Sequence, residues 1–99
     1  MKEVTIFKLV SGEEIIGKIT SVEKGIFYIN KPLLVVTDFS DQSGPRFAFM
    51  PWGMLTEGDV KKISEDHIIY VAAAKDNAAQ NYNAIVGDIV VAPKTLITG

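Results

Sequence analysis

One histidine, no cysteine and scattered carboxylates are what this chain offers for acid–base, thiolate or metal chemistry. They form no catalytic triad, no metal-ligand cluster and no phosphate-cradling glycine loop, so an enzyme is not expected and no cofactor is implied. The stretch 38–44 (DFSDQSG) carries two aspartates. It lacks the distal glutamate and regular ligand spacing of a calcium loop, so an ordinary hairpin loop is expected. What remains is binding. Arg46, Phe47, Phe49 and Trp52 interleave a cation with aromatics, as nucleic-acid surfaces do. Arginine and aromatics are equally enriched at protein interfaces, and the interface reading is favoured here. Lys61-Lys62 is the only adjacent basic pair, too small for a patch.

Composition sets the frame for these groups. At 99 residues the chain is expected to be one domain, 1–99, with the barrel described below at about 4–73 and a helix and tail at about 76–99. A chain this short buries only about two-thirds of its unfolded surface, so partner subunits are a natural source of further stability. Hydrophobic residues make up 47%, too many for disorder, yet no apolar run is long enough to cross a bilayer. Met1-Lys2-Glu3 does not open a signal peptide, and with no cysteine a cytoplasmic location is expected. Ten basic and twelve acidic residues give a net charge of −2, which argues against coating nucleic acid by bulk electrostatics.

The elements that must position these residues read as strands first. Residues 4–10 are β-branched, aromatic and apolar on both faces, and Ser11-Gly12-Glu13 turns the chain into a second strand, 14–22. Glu23-Lys24-Gly25 makes the next turn. Residues 26–30 and 33–36 form one extended stretch, with Pro32 forcing a bend or bulge between them. A loop follows, then a strand over 46–52, a polar irregular stretch over 53–62, and a strand over 67–73 apolar on both faces and therefore expected to be buried or covered. From Asp76 or Asn77, either a good N-cap, the residues Ala78, Ala79, Tyr82, Ile85 and Val86 recur at helical spacing until Gly87. The remainder, 89–99, reads as a tail or docking segment. Five short strands and one C-terminal helix make a mainly β fold, a small, strongly bent barrel whose closure removes exposed edges.

Leu9, Gly12, Ile15, Gly17 and Ile19 reproduce the spacing of the first Sm motif, continued by Glu23 and Ile26. Gly12 permits the tight turn, and Gly17 marks a point of strong bending, as closing a very small barrel requires. Ile63, Ile68 and Val71 fit the apolar frame of the second Sm motif, but Ser64-Glu65 stands where the family carries arginine-glycine. The asparagine closing the first motif is Phe27 here, and the helix follows the barrel where in most Sm proteins it precedes it. With the runs 8–17 (KLVSGEEIIG), 30–33 (NKPL) and 49–52 (FMPW), the chain resembles the divergent Sm-like (LSm) proteins of marine phages, cyanophages in particular.

That resemblance implies a ring of subunits joined strand to strand, binding RNA or, less expectedly, single-stranded DNA in the host cytoplasm. It places Phe27 where related rings hold a base near the pore, so that its ring would stack. Lys24, in the adjacent turn, would meet phosphate. Ser64, Glu65, Asp66 and His67 form the other loop at the pore, where His67 would stack or donate to a base and the two carboxylates would repel phosphate. The ring interface is expected from Arg46, Phe47, Phe49 and Trp52 on one edge strand and Ile68 and Tyr70 on the other, closing about five to seven subunits. The competing expectation is a ring-shaped assembly adaptor that does not bind nucleic acid.

Overall fold

Six strands and a helix form in chain order: β1 (Val4–Leu9), β2 (Glu14–Glu23), β3 (Ile26–Asp38), β4 (Arg46–Pro51), β5 (Val60–Ser64), β6 (Ile68–Ala73) and α1 (Asp76–Val86). The structure is a computed structural model and describes residues 3–40, 42–53 and 55–87. The expected segment 89–99 lies outside the described residues. All strand pairs are antiparallel, in the order β4-β3-β2-β1-β6, with β5 also pairing with β3.

The count is six where the sequence predicts five because one strand position is filled by two segments. β4 pairs with the C-terminal half of β3, from Leu33↔Pro51 to Asp38↔Arg46. β5 pairs with its N-terminal half, from Ile26↔Ser64 to Asn30↔Val60. Residues 60–62 are thus strand, not the irregular stretch that their polarity predicts. Lys61 and Lys62 disguise the strand, but every second position faces outward, and Ile63 alone carries its burial.

β3 runs unbroken through Pro32, and the expected bulge is there. Lys31 has φ 48°, and the β2–β3 register slips between Ile16 and Lys18, opposite Lys31 and Pro32. Gly17 lies at this slip. A Cβ on Gly17 would meet Ile29 Cγ2 at 2.6 Å and Pro32 Cα at 3.3 Å, so only glycine lets the two strands approach where the sheet folds over.

Both faces of β1 and of the first residues of β2 are buried, which is why residues 4–10 read as apolar on both faces. Inside the barrel Phe7, Leu9, Ile15, Ile29 and Ile63 pack together, with Ile19, Phe27, Leu34, Trp52 and Ile68 around them. On the outer face Val4, Ile16 and Leu33 pack against Tyr82 of α1. Ile15 and Ile16 are adjacent and both fully buried, one in each layer, because successive strand residues point to opposite faces. Each contributes about 1.5–3 kcal/mol by burial.

The helix is anchored at the bulge. The Tyr82 hydroxyl lies 2.9 Å from both the Asn30 and the Lys31 carbonyl oxygens, to which it donates, and Lys31 Nζ donates to the Val86 carbonyl at 3.5 Å. Neither Asp76 nor Asn77 is the N-cap: Lys75 takes that position without a side-chain bond, and Asp76 already belongs to the first turn. Gly87 ends the helix with φ 79°, its N–H bonded to Asn83 O.

Candidate nucleic-acid interface

Two loops meet at one end of the barrel. The β2–β3 connection is a two-residue turn, Lys24-Gly25, with φ of 51° and 79°, the left-handed pair that matches the twist of a tight hairpin. Between β5 and β6, Glu65–His67 forms a single 3-10 turn. Ser64 opens it, its hydroxyl accepting from Asp66 N at 3.3 Å. Glu65 N donates to Gly25 O at 2.8 Å, and Val10 N donates to His67 O at 2.9 Å. The 3-10 turn thus spans from the β2–β3 turn to the end of β1. A Cβ on Gly25 would lie 3.1 Å from the Glu65 carboxyl carbon, so this carboxylate rests directly over the turn.

Lys24, Ser64 and His67 are therefore brought to one place. Lys24, Glu65, Asp66 and His67 are exposed, and Ser64 is half-buried. Phe27 starts from the same turn but points into the barrel. Half-buried, it packs on the interior cluster and meets Phe7 edge-on, ring centroids 6.0 Å apart at 79°.

The residues expected at a subunit interface divide in two. Trp52 and Ile68 pack against the barrel interior, and β4 ends at Pro51, one residue before Trp52. Phe49 joins the layer beneath α1. Arg46 and Phe47 are exposed on β4, and Tyr70 is exposed on β6. The Tyr70 hydroxyl donates to the Glu14 carboxylate at 2.6 Å. That bond to Glu14 holds the Tyr70 pKa above the ordinary phenol value.

β4 and β6 end the sheet on its two sides, and both carry exposed apolar side chains: Phe47, Met50, Ile69 and Val71 besides Tyr70. Apolar residues on both faces of 68–73 thus mark an exposed edge strand within a single chain, not a covered one. Met50, Ile69 and Val71 escaped the sequence reading because a buried strand and an uncovered apolar edge have the same composition. A groove of about 1020 Å³ opens between these edges and α1, lined by Arg46, Phe47 and Phe49 on one side and Tyr70, Ala78 and Ile85 on the other.

Asp38 and Ser40 make a local turn after β3. The Asp38 carboxylate accepts from Ser40 N at 2.9 Å and Ser40 Oγ at 2.7 Å, and these bonds, the hydroxyl's first, lower its pKa. Among the described residues no group of three His, Cys, Asp or Glu side chains is arranged to hold a metal ion. No helix among them is long and apolar enough to cross a membrane.

A sharply bent antiparallel sheet, with a glycine at the bend and two loops gathered at one end, defines a small barrel. The family model of the Sm-like domain matches residues 6–83, and the chain belongs to that family. Sm-like proteins commonly form rings and bind RNA, and they are generally not enzymes. No curated protein matches the chain.

Proposed function

We propose that this chain closes into a homo-oligomeric ring through β4 of one subunit and β6 of the next, and that the ring binds single-stranded nucleic acid, RNA before DNA. The observation that carries this reading is the pair of unmatched sheet ends. A lone subunit leaves two strand edges bearing Phe47, Met50, Ile69 and Tyr70 in water, a hazard that natural sheets avoid. Head-to-tail pairing of β4 with β6 satisfies these two edges once the rotation closes, at about five to seven subunits. The loop end carrying Lys24, Ser64 and His67 would then repeat around one opening, so that weak contacts act together on one strand. Similarity to marine-phage Sm-like proteins supports action in a host cytoplasm, in RNA processing or regulation.

A second reading has its own support. Glu65 and Asp66 are exposed at the same loops and would repel phosphate, which favours a ring-shaped assembly adaptor without nucleic acid. Size-exclusion chromatography with light scattering, with and without short oligouridine, oligoadenosine and DNA, separates the two. The nucleic-acid reading expects a closed oligomer that co-elutes with RNA at low salt. An oligomer that leaves RNA behind selects the adaptor, and a monomer at micromolar concentration sinks both.

A further inference from the structure

Tyr28 faces away from the barrel interior, since its neighbours Phe27 and Ile29 both pack inside. Directly across from Tyr28 stand Ser21 on β2 and Lys62 on β5. One row along the same face, Asn30 stands between Lys18 and Val60. These six positions hold an aromatic and two lysines, and the row on the other side of Tyr28 sets Ile26 between Glu23 and Ser64. At the loop end two adjacent carboxylates, Glu65 and Asp66, stand in the same turn as His67.

Where this patch lies follows from the helix. The apolar contacts of α1 with the outer face are to Ile16, Leu33 and their neighbours, and they stop at the bulge at Lys31. On the other side of that bulge the outer face is mixed: it carries Tyr28, half-buried, and Lys62, exposed, beside Ile26 and the exposed Val60. A tyrosine held by strands on both sides gives a π-face at low entropic cost, and lysines on either side match phosphates spaced along a single strand.

From this register we infer that the outer face of β2, β3 and β5, centred on Tyr28 with Lys18 and Lys62, is a binding surface for single-stranded nucleic acid, separate from the loop end. A base stacks on Tyr28 while the two ammonium groups meet flanking phosphates. The inference rests on the reading that this protein binds nucleic acid at all. It differs in putting the favourable electrostatics on the outer wall of each subunit, not at the loops.

Fluorescence anisotropy with labelled oligouridine and oligoadenosine, at low and moderate salt, tests it on wild type, Tyr28→Ala, Tyr28→Phe, Lys62→Glu and Lys24→Glu. The expected result is binding about tenfold weaker for Tyr28→Ala, the scale of one lost base stack, with Tyr28→Phe retained. Lys62→Glu, at an exposed position that leaves the fold alone, weakens binding and flattens its salt dependence more than Lys24→Glu does at the loop end. Ultraviolet crosslinking of the wild-type protein to oligouridine, mapped by mass spectrometry, should label Tyr28. If Tyr28→Ala and Lys62→Glu bind as wild type and the crosslinks fall at 24–27 or 64–67, the outer-face site is overturned and the loop reading stands. If wild type does not bind at low salt, the nucleic-acid reading itself falls.

Discussion

Gly17 lies so close to Ile29 that a single methyl group on it would come within 2.6 Å of Ile29 Cγ2. Ile29 is fully buried and cannot yield outward. Gly17→Val should therefore destabilise the protein despite valine's strand propensity, by about 1–3 kcal/mol or more from overpacking. Gly17→Ala should fall in the same direction. Thermal denaturation decides this: an unchanged or raised melting temperature for either variant would contradict the tight bend.

Tyr82 secures the helix to that bend through one hydroxyl and two carbonyl oxygens. Tyr82→Phe keeps the ring and removes a donor shared by two part-buried carbonyls, at a cost of about 0.5–1.5 kcal/mol. Hydrogen exchange in α1 should rise before exchange in β1 and β2 does. Equal stability and equal helix protection in the two proteins would show that apolar packing alone holds α1.

Assembly depends on side chains that a single chain leaves in water. Phe47 is 66% exposed, so Phe47→Asp should leave the subunit's circular dichroism unchanged while it lowers the oligomer mass. Light scattering on wild type and variant at matched concentration checks this. Retention of the full mass would move the interface away from β4.

Phe27 separates two roles by choice of substitution. Its edge-on packing with Phe7 means that Phe27→Ala removes core volume, at about 2–4 kcal/mol for a partly buried phenylalanine. Phe27→Leu keeps most of the volume and removes the aromatic face. If a base stacks on Phe27, the leucine variant loses oligouridine affinity with little loss of stability; equal binding assigns Phe27 to packing.

The Tyr70–Glu14 bond predicts a pH effect of definite sign. The tyrosine pKa is raised above 10.0 because Glu14 accepts the proton that ionisation would remove. A group raised in the folded state lends stability below its unfolded pKa and loses it as the pH climbs through the folded one. The contribution is therefore present at neutral pH and disappears in the alkaline range. Nuclear magnetic resonance titration of the Tyr70 ring should show a midpoint that falls towards 10.0 in Glu14→Gln. Identical midpoints would mean that the 2.6 Å contact does not persist in solution.

The parts of the fold visible in the sequence were those that local chemistry dictates. Gly12, Gly17 and Gly87 mark a turn, a bend and a helix stop, and the alternation around Ile15, Ile16 and Ile19 locates the strands they interrupt. Residues 60–62 give no strand signal because a strand whose pairing comes from Tyr28, Ile29 and Asn30, thirty or more residues earlier, need carry almost no apolar pattern of its own. The meeting of Lys24 with the loop at Ser64 was expected only through family likeness, since no local rule joins positions so far apart. The roles of Trp52 and Ile68 could not be read either. Whether an aromatic near a strand end turns inward depends on where the strand stops, and that boundary moved by one residue.

The divided fourth position has a consequence for how this barrel tolerates change. The chain leaves β4 at Pro51, opposite Leu33, and returns in β5 at Val60, opposite Asn30. The intervening residues 52–59 therefore depart and rejoin across a gap that only Lys31 and Pro32 fill on the facing strand. The gap is sealed by the bond from Lys31 N to Asp59 O at 2.7 Å, next to the anchoring strand residue Val60. Lengthening such an excursion costs only about 0.6 kcal/mol for each doubling, so the scaffold has a built-in splice point. A peptide tag or a recognition loop grafted between Gly53 and Gly58 would be displayed without shifting the register of any of the six strands.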